Sequence, residues 1–473
     1  MLHTRNNDAS LIIRSRRVVF SDRIAPACLH LRDGVICKIG QWNEIEPAAQ
    51  LFDAGDQAVL PGAVDIHTHI NEPGRGDWEG FESATRAAAA GGITTLLDMP
   101  LNSIPPATSA GALARKIEST AGKLWIDVGF HGGIVPGNDG DLRPLVQSGV
   151  AGLKCFLCDS GVDEFPAVTP GQLADAIGGL AGLDPWILVH AESSEILDAA
   201  QRRISISPTR GAWTYEDYLR SRPDEAEYRA IEQLIELAER FRARIHIVHL
   251  SSATALALIA RAKAEGLAMT AETCPHYLTF DAESIADGAT ELKCAPPIRA
   301  AGNRDKLWQG LRDGVIDVIA SDHSPCLPEL KTSANGNFAQ AWGGIASLQC
   351  SLAAVWTEAQ QRCFTLSDLV RWMCEGPARL ARLPSKGSLS VGKDADLICF
   401  APEEEYVLQP ADIYHRHRLT PYLGRRLRGV VKRTFLRGVP IYDRGLWSGA
   451  PRGRIIRAQP RIERDNPNST ASR

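Results

Sequence analysis

Six residues of this 473-residue sequence combine into one chemistry: His67, His69, Lys154, His190, His249 and Asp322. His67 and His69 stand one residue apart in VDIHTHI, and on an extended strand that spacing turns both imidazoles to the same face. Imidazole and carboxylate are donors for divalent transition metals, and four histidines with an aspartate are too many for one tetrahedral ion. A pair of metal ions with an activated water fits the inventory. Lys154 is the odd member, because an ammonium cannot ligate a cation. Capture of CO2 by its neutral amine gives a carbamate whose two oxygens can bridge two metals. Burial and nearby cations favour the neutral amine that this needs.

Taken singly, each residue has a plainer reading. A strand histidine can be a satisfied core residue, and Lys154 a snorkelling side chain or a Schiff-base amine. Asp322-His323 can cap a following helix. His246 lies out of phase with His249 and reads as structural, while His131 and His276 read as core or supporting residues. The Cys155-x-x-Cys158 pair, lacking a second pair, reads as packing.

The elements that must position the six are eight apolar strands: VDIHTHI (64–70), TTLLDMP (94–100), DVGFHGGI (127–134), GLKCFL (152–157), WILVHAE (186–192), RIHIVHL (244–250), LAMTAETCPHYL (267–278) and DVIASDHS (317–324). Helix-like segments separate them at 79–91, 108–121, 168–181, 224–241 and 252–265. This alternation predicts an α/β fold, a (β/α)8 TIM-type barrel, whose active sites lie at the C-terminal ends of the strands. The six residues fall at the ends of strands one, four, five, six and eight. Residues 11–60 read instead as short strands with an Asp33-Gly34 hairpin turn, and the same style returns after about residue 384. The expected organisation is residues 1–61 as the first part of a small β domain, 62–384 as the barrel, and 385–473 as its second part plus a frayed polar tail. Gly336 and the Gly343-Gly344 pair mark a mobile segment near the mouth.

Composition narrows the class. With 44% apolar residues and a net charge of −4, from 52 basic against 56 acidic side chains, nothing calls for nucleic acid or a membrane as partner. Eleven dispersed cysteines read as reduced thiols of a cytoplasmic protein, and the polar start MLHTRNNDAS has no apolar signal core.

The strings VDIHTHINEPGR, GGITTLLDMPLNSIPP, GLKCFLCDSGVDEFP, ILVHAES, HIVHLSS, ETCPHYLTF, KCAPPIR, DVIASDHSPC, AWGGIASLQ and GKDADLICF together resemble the allantoinase family, cyclic amidohydrolases of the dihydroorotase and dihydropyrimidinase superfamily. The resemblance runs from about residue 10 to 455. It implies the barrel with a β-sandwich drawn from both chain ends, two divalent ions per chain (zinc first, with cobalt, manganese or iron as alternatives) and a homotetramer. His67 and His69 match the ligands of the first metal, His190 and His249 those of the second, and Lys154 the carbamylated bridge (N6-carboxylysine). Asp322 matches the carboxylate that binds the first metal and moves the proton from water to the leaving ring nitrogen. The implied reaction is hydrolysis of the ring amide of allantoin to allantoate.

Within the superfamily the choice rests on fewer positions. Dihydroorotases carry an arginine where this chain has Asn71, and dihydropyrimidinases a tyrosine where it has Asp159. Asn71 and Asn102 read either as loop caps or as substrate contacts, and by analogy the backbone at Ala295 and Gly343 holds the ring amide. Glu375-Gly376-Pro377 departs from the family's usual Asn. Three other readings stay open: a hydantoinase or dihydropyrimidinase acting on another ring, a mononuclear deaminase that would not need Lys154, and a metal-free scaffold relative.

Overall fold

The computed structural model describes residues 10–205, 212–332 and 335–458. The polar N-terminal start through residue 9 and the C-terminal tail from residue 459 lie outside the described residues.

Both chain ends build one nine-stranded sheet. Its first part is β1 (Leu11–Val19), β2 (Ile24–Arg32), β3 (Val35–Gly40), β4 (Gln50–Asp53) and β5 (Ala58–Pro61). At the expected turn, Asp33 and Gly34 both take left-handed conformations (φ 52° and 82°) and join β2 to β3 in antiparallel pairing. Such a turn matches the twist of the flanking strands.

The barrel staves follow: β6 (Ala63–Thr68), β7 (Ile93–Asp98), β8 (Asp127–Phe130) with β9 (Gly132–Gly133), β10 (Leu153–Phe156), β11 (Trp186–His190), β12 (Arg244–Ile247), β13 (Met269–Thr273) and β14 (Val318–Ile319). β8 and β9 are one stave interrupted at His131; β8 pairs with β7 and β9 with β10, all parallel. A parallel bridge from Thr68 to His323 closes the ring between the first and eighth staves. Most stave positions are buried on both faces, as expected where helices cover a parallel sheet. The chain then returns as β15 (Leu397–Val407), β16 (Arg426–Leu436), β17 (Val439–Asp443) and β18 (Leu446–Trp447). β15 pairs antiparallel with β5, which knits the two chain ends together.

Local sequence explains how the outer layer sits. The helix Asp224–Phe241 buries Ala226, Ala230, Ile231, Leu234, Leu237 and Ala238, a stripe at three- and four-residue spacing. The helix Pro170–Gly179 starts from a Thr169/Gln172 capping box. Gly152 lets the fourth stave lie against the fifth, because a Cβ there would be 2.5 Å from Leu188 Cδ1.

One sequence expectation is corrected. The seventh strand, read as 267–278, ends at Thr273, and Pro275–Thr279 is a helical turn. Proline has no N–H for a sheet ladder but suits the first position of a helix. At the departure Glu375-Gly376-Pro377, Glu375 accepts a hydrogen bond from Ser21, and Gly376 packs on Val318 of the eighth stave.

Candidate metal centre and active site

The barrel delivers the six residues to one mouth by local backbone geometry. His67 lies within β6 and His69 just beyond it; Lys154 is on β10; His190 ends β11. His249 and Asp322 lie past β12 and β14 and take left-handed conformations, with φ 39° and 44°. Non-glycine residues rarely adopt that region, and here the turn carries each side chain into the mouth.

Two groups form and adjoin. In the first, His67 Nε2 and His69 Nε2 lie 3.2 and 3.4 Å from the same Asp322 Oδ1. In the second, His190 Nδ1 faces His249 Nε2 at 3.0 Å. The His67 and His249 ring centroids are 5.4 Å apart.

The far nitrogens of the rings are held by neighbours. His67 Nδ1 donates to Glu272 in a short hydrogen bond, and His69 Nδ1 donates to the Leu101 carbonyl at 3.2 Å. His190 Nε2 donates to Glu192 Oε2 at 2.7 Å. Each bond fixes a tautomer and leaves the opposite nitrogen's lone pair facing the mouth. Glu272 also accepts from His246 Nε2 and from the His249 backbone N–H. Glu192 is gripped by Arg222, whose Nε lies 3.1 Å from Oε1.

The electrostatics follow from burial and these partners. Burial lowers His190 to about 4 and Lys154 to about 8, so burial keeps the imidazole neutral and draws the amine towards neutrality. Burial opposes ionisation of Glu192, but Arg222 and His190 outweigh it and hold the carboxyl at about 2. Asp322 is likewise held well below the usual carboxylate range, because His67, His69 and His249 outweigh its burial.

Metal ions fit this donor set. Lys154 Nζ, His67 Nε2 and His249 Nδ1 are buried and find no hydrogen-bond partner among the described residues. Buried polar groups are normally satisfied, so such a concentration of unmet donors and lone pairs marks a place for cations. Among the described residues, the ligand atoms of His67, His69 and Asp322 all lie within 4.8 Å of one another. Imidazoles and an ionised carboxylate are the donors that divalent transition metals take, and Lys154 could join them only as a carbamate.

These residues line one cavity of about 450 Å³, together with Asn102, Asp159, Ala295 and Gly343. Asn71 is not on its wall: its amide donates to the Pro325 carbonyl, and its oxygen receives the Asn102 amide. It holds Asn102 from behind. Cys158, read from sequence as packing, is buried and lines the cavity, with Sγ 3.8 Å from Arg222. Cys155, His131 and His276 are buried. His246 is bound to Thr270 and Glu272.

Sequence reasoning missed Glu192, Arg222 and Glu272. Glu192 carried a signal, since it stands two residues after His190 in HAE and shares its face. Glu272 and Arg222 reach the site from segments far along the chain, with no local pattern to mark them.

The profile described as the amidohydrolase family matches residues 58–441. The allantoinase of Streptomyces avermitilis is 50% identical over 455 residues, covering 96% of this chain and 100% of that one. The allantoinase of Arabidopsis thaliana is 42% identical, covering 93% and 90%. Among solved structures, the L-hydantoinase (dihydropyrimidinase) from Arthrobacter aurescens superposes with a TM-score of 0.90 at 30% identity, covering 95% of this chain and 100% of that one. The chain therefore belongs to the amidohydrolase family and, within it, to the allantoinases.

Proposed function

We propose that this protein hydrolyses the ring amide of allantoin to allantoate, with one divalent ion held by His67, His69 and Asp322 and a second by His190 and His249. Lys154, as its carbamate, would complete the set of groups that holds them. The observation that carries this reading is a buried amine with no acidic partner among the described residues, set beside two groups of imidazoles at the mouth of the barrel. When bound, the metal pair supplies Lewis-acid polarisation of the ring carbonyl and a water acidified towards neutrality.

The remaining chemistry belongs to the chain. Asp322 is ionised and so has an oxygen open to a proton; in this reading it would take the proton of the attacking water and deliver it to the leaving ring nitrogen. Glu272 and Glu192 hold the His67 and His190 rings in register through their far nitrogens. Asn102 and the backbone at Ala295 and Gly343 orient the ring amide, and Asn71 fixes Asn102.

Zinc is the metal expected first, with cobalt, manganese or iron also accepted by these donors. The same proposal makes the protein a cytoplasmic homotetramer. All eleven cysteines are free, and no helix among the described residues is long and apolar enough to cross a membrane. Light scattering and cell fractionation test those two points.

The deciding experiment is allantoate formation from allantoin by enzyme prepared with divalent metal and bicarbonate. We expect turnover that chelator abolishes, with hydantoin and dihydrouracil poor. Faster turnover of hydantoin or dihydrouracil would transfer the reading to a hydantoinase.

A further inference from the structure

We propose that Lys293 is a positioning residue for substrate recognition: it acts through the backbone of residues 339–344 to fix the cavity wall which that segment forms. The inference rests on the reading that this cavity takes the cyclic amide. Ala339, Gln340, Ala341, Trp342, Gly343 and Gly344 all line it, as does Lys293 itself.

Lys293 is only 8% exposed. Its Nζ donates to the Ala341 carbonyl at 2.6 Å and the Ala339 carbonyl at 3.3 Å, and lies 5.0 Å from the centre of the Tyr218 ring. Its own carbonyl accepts from the Gly344 N–H at 2.9 Å and from Lys331 Nζ at 2.8 Å. Lys331, itself 4% exposed, also donates to the Thr290 carbonyl at 3.2 Å. The Trp342 N–H closes the other side on Leu330 O at 2.9 Å. One residue thus staples the segment at three points, through its ammonium and its carbonyl.

Neither lysine forms an ion pair with a carboxylate among the described residues, so the Lys331 ammonium is held by carbonyl dipoles and that of Lys293 by carbonyl dipoles and the face of the Tyr218 ring. That is a poor way to gain stability, since an apolar side chain of similar volume avoids the desolvation cost. What the arrangement supplies is direction, because two carbonyls must face one point. Burial, together with the charges of Lys331 and Arg222, lowers Lys293 to about 8. The wall is also tied to the reacting end. Gly344 passes so near Ser324 that a Cβ would lie 2.6 Å from its carbonyl oxygen, and Ser324 Oγ donates to Asp322 Oδ1 at 3.1 Å. A wall that drifts therefore misplaces substrate without removing any ligand.

The test is Lys293→Met in the metal-loaded enzyme, read in two independent ways. We expect KM for allantoin to rise about tenfold or more, kcat to stay within about threefold, and metal content to stay at the wild-type value. Hydrogen exchange of amides in 338–344 should quicken about tenfold or more, with the rest of the barrel unchanged. Wild-type KM together with wild-type exchange in that segment would overturn the proposal, and so would a fall in kcat with KM unchanged. If Lys293→Met does not fold, Lys293→Gln shortens the side chain and removes its charge, and wild-type KM and exchange in that segment would overturn it equally. The exchange measurement needs no substrate. An enzyme inactive on allantoin whose segment still loosens in Lys293→Met would therefore sink the assigned substrate and leave the role of Lys293 standing.

Discussion

Two buried lysines sit at opposite ends of the same barrel and are treated in opposite ways. At the mouth, Lys154 Nζ has no hydrogen-bond partner among the described residues, and burial lowers it to about 8. At the floor, Lys386 Nζ lies 2.6 Å from Asp127, 2.9 Å from Asp394 and 2.7 Å from Asp396, and these charges raise it despite its burial. Arg437 adds a second cation on Asp127 at 2.5 Å. Those three carboxylates would suit a metal, but Lys386 already stands among them. The floor spends its charge joining the start of β8 to the β15 end of the outer sheet. The mouth gives Lys154 no carboxylate among the described residues, only the Phe156 ring face at 4.6 Å. On the proposed function, the contrast separates a residue kept for reactivity from one kept for stability.

The largest effect should come from breaking the mouth. Lys154→Met should lower allantoin turnover at least about 1,000-fold, the ~4 kcal/mol expected when metal activation of water is lost. It should leave the cooperative unfolding transition intact. Retention of full activity would instead favour a mononuclear site. Breaking the floor should do the reverse. Lys386→Met leaves Asp127 and Asp396 buried with less to balance them and should cost about 3–5 kcal/mol in denaturant unfolding, while folded protein keeps its metal content and kcat. Unchanged stability would show that the floor cluster is not a brace.

A milder test sharpens the mouth from behind. Glu192→Gln and Glu272→Gln keep the volume but weaken the grip on His190 and His67. Each should weaken metal binding about 10- to 100-fold, measured by chelator competition, with kcat recovering at saturating metal. Glu192→Gln should act on the ion at His190 and His249, and Glu272→Gln on the ion at His67.

The mouth was far more legible in the sequence than the floor. His67 and His69 advertise themselves by spacing, and the eight staves by alternation, so the six residues could be placed on strand ends before any coordinates. Asp127 and Lys386 are 259 residues apart and sit in no motif. Their meeting depends on how the returning strands dock, which periodicity does not encode. Lys293 lies in a family-like string, KCAPPIR, but nothing in that string shows that its partners are backbone carbonyls. Asn71 was visible as polar and close to His69, but only the fold shows its amide turned to Pro325 and away from the cavity. The overlong seventh strand came from reading TCPHYL as an apolar run, when Pro275 turns it into a helix.

A last expected effect is a difference in pH dependence between the two lysines, measurable in metal-free protein in CO2-free buffer. Lys154 ordinarily titrates at 10.5 and falls to about 8 in the fold, so the folded state binds that proton more weakly than the unfolded chain. The cost is present in full below pH 8 and is relieved as pH rises from 8 to 10.5. Lys154→Met should therefore be more stable than wild type at pH 7, by up to about 3 kcal/mol, with the gap closing across that window. Lys386 is shifted the other way, so its contribution should hold through pH 10.5 and fall away only as pH climbs through its raised value. The same sign governs carbamylation, which needs the free amine. At a fixed concentration of dissolved CO2, reactivation of metal-free enzyme by CO2 and metal should accelerate from pH 6 to about 8 and then level off. A stability gap between Lys154→Met and wild type that stays constant from pH 7 to 10.5 would mean that the mouth lysine is already matched, and the contrast between the two ends of the barrel would be lost.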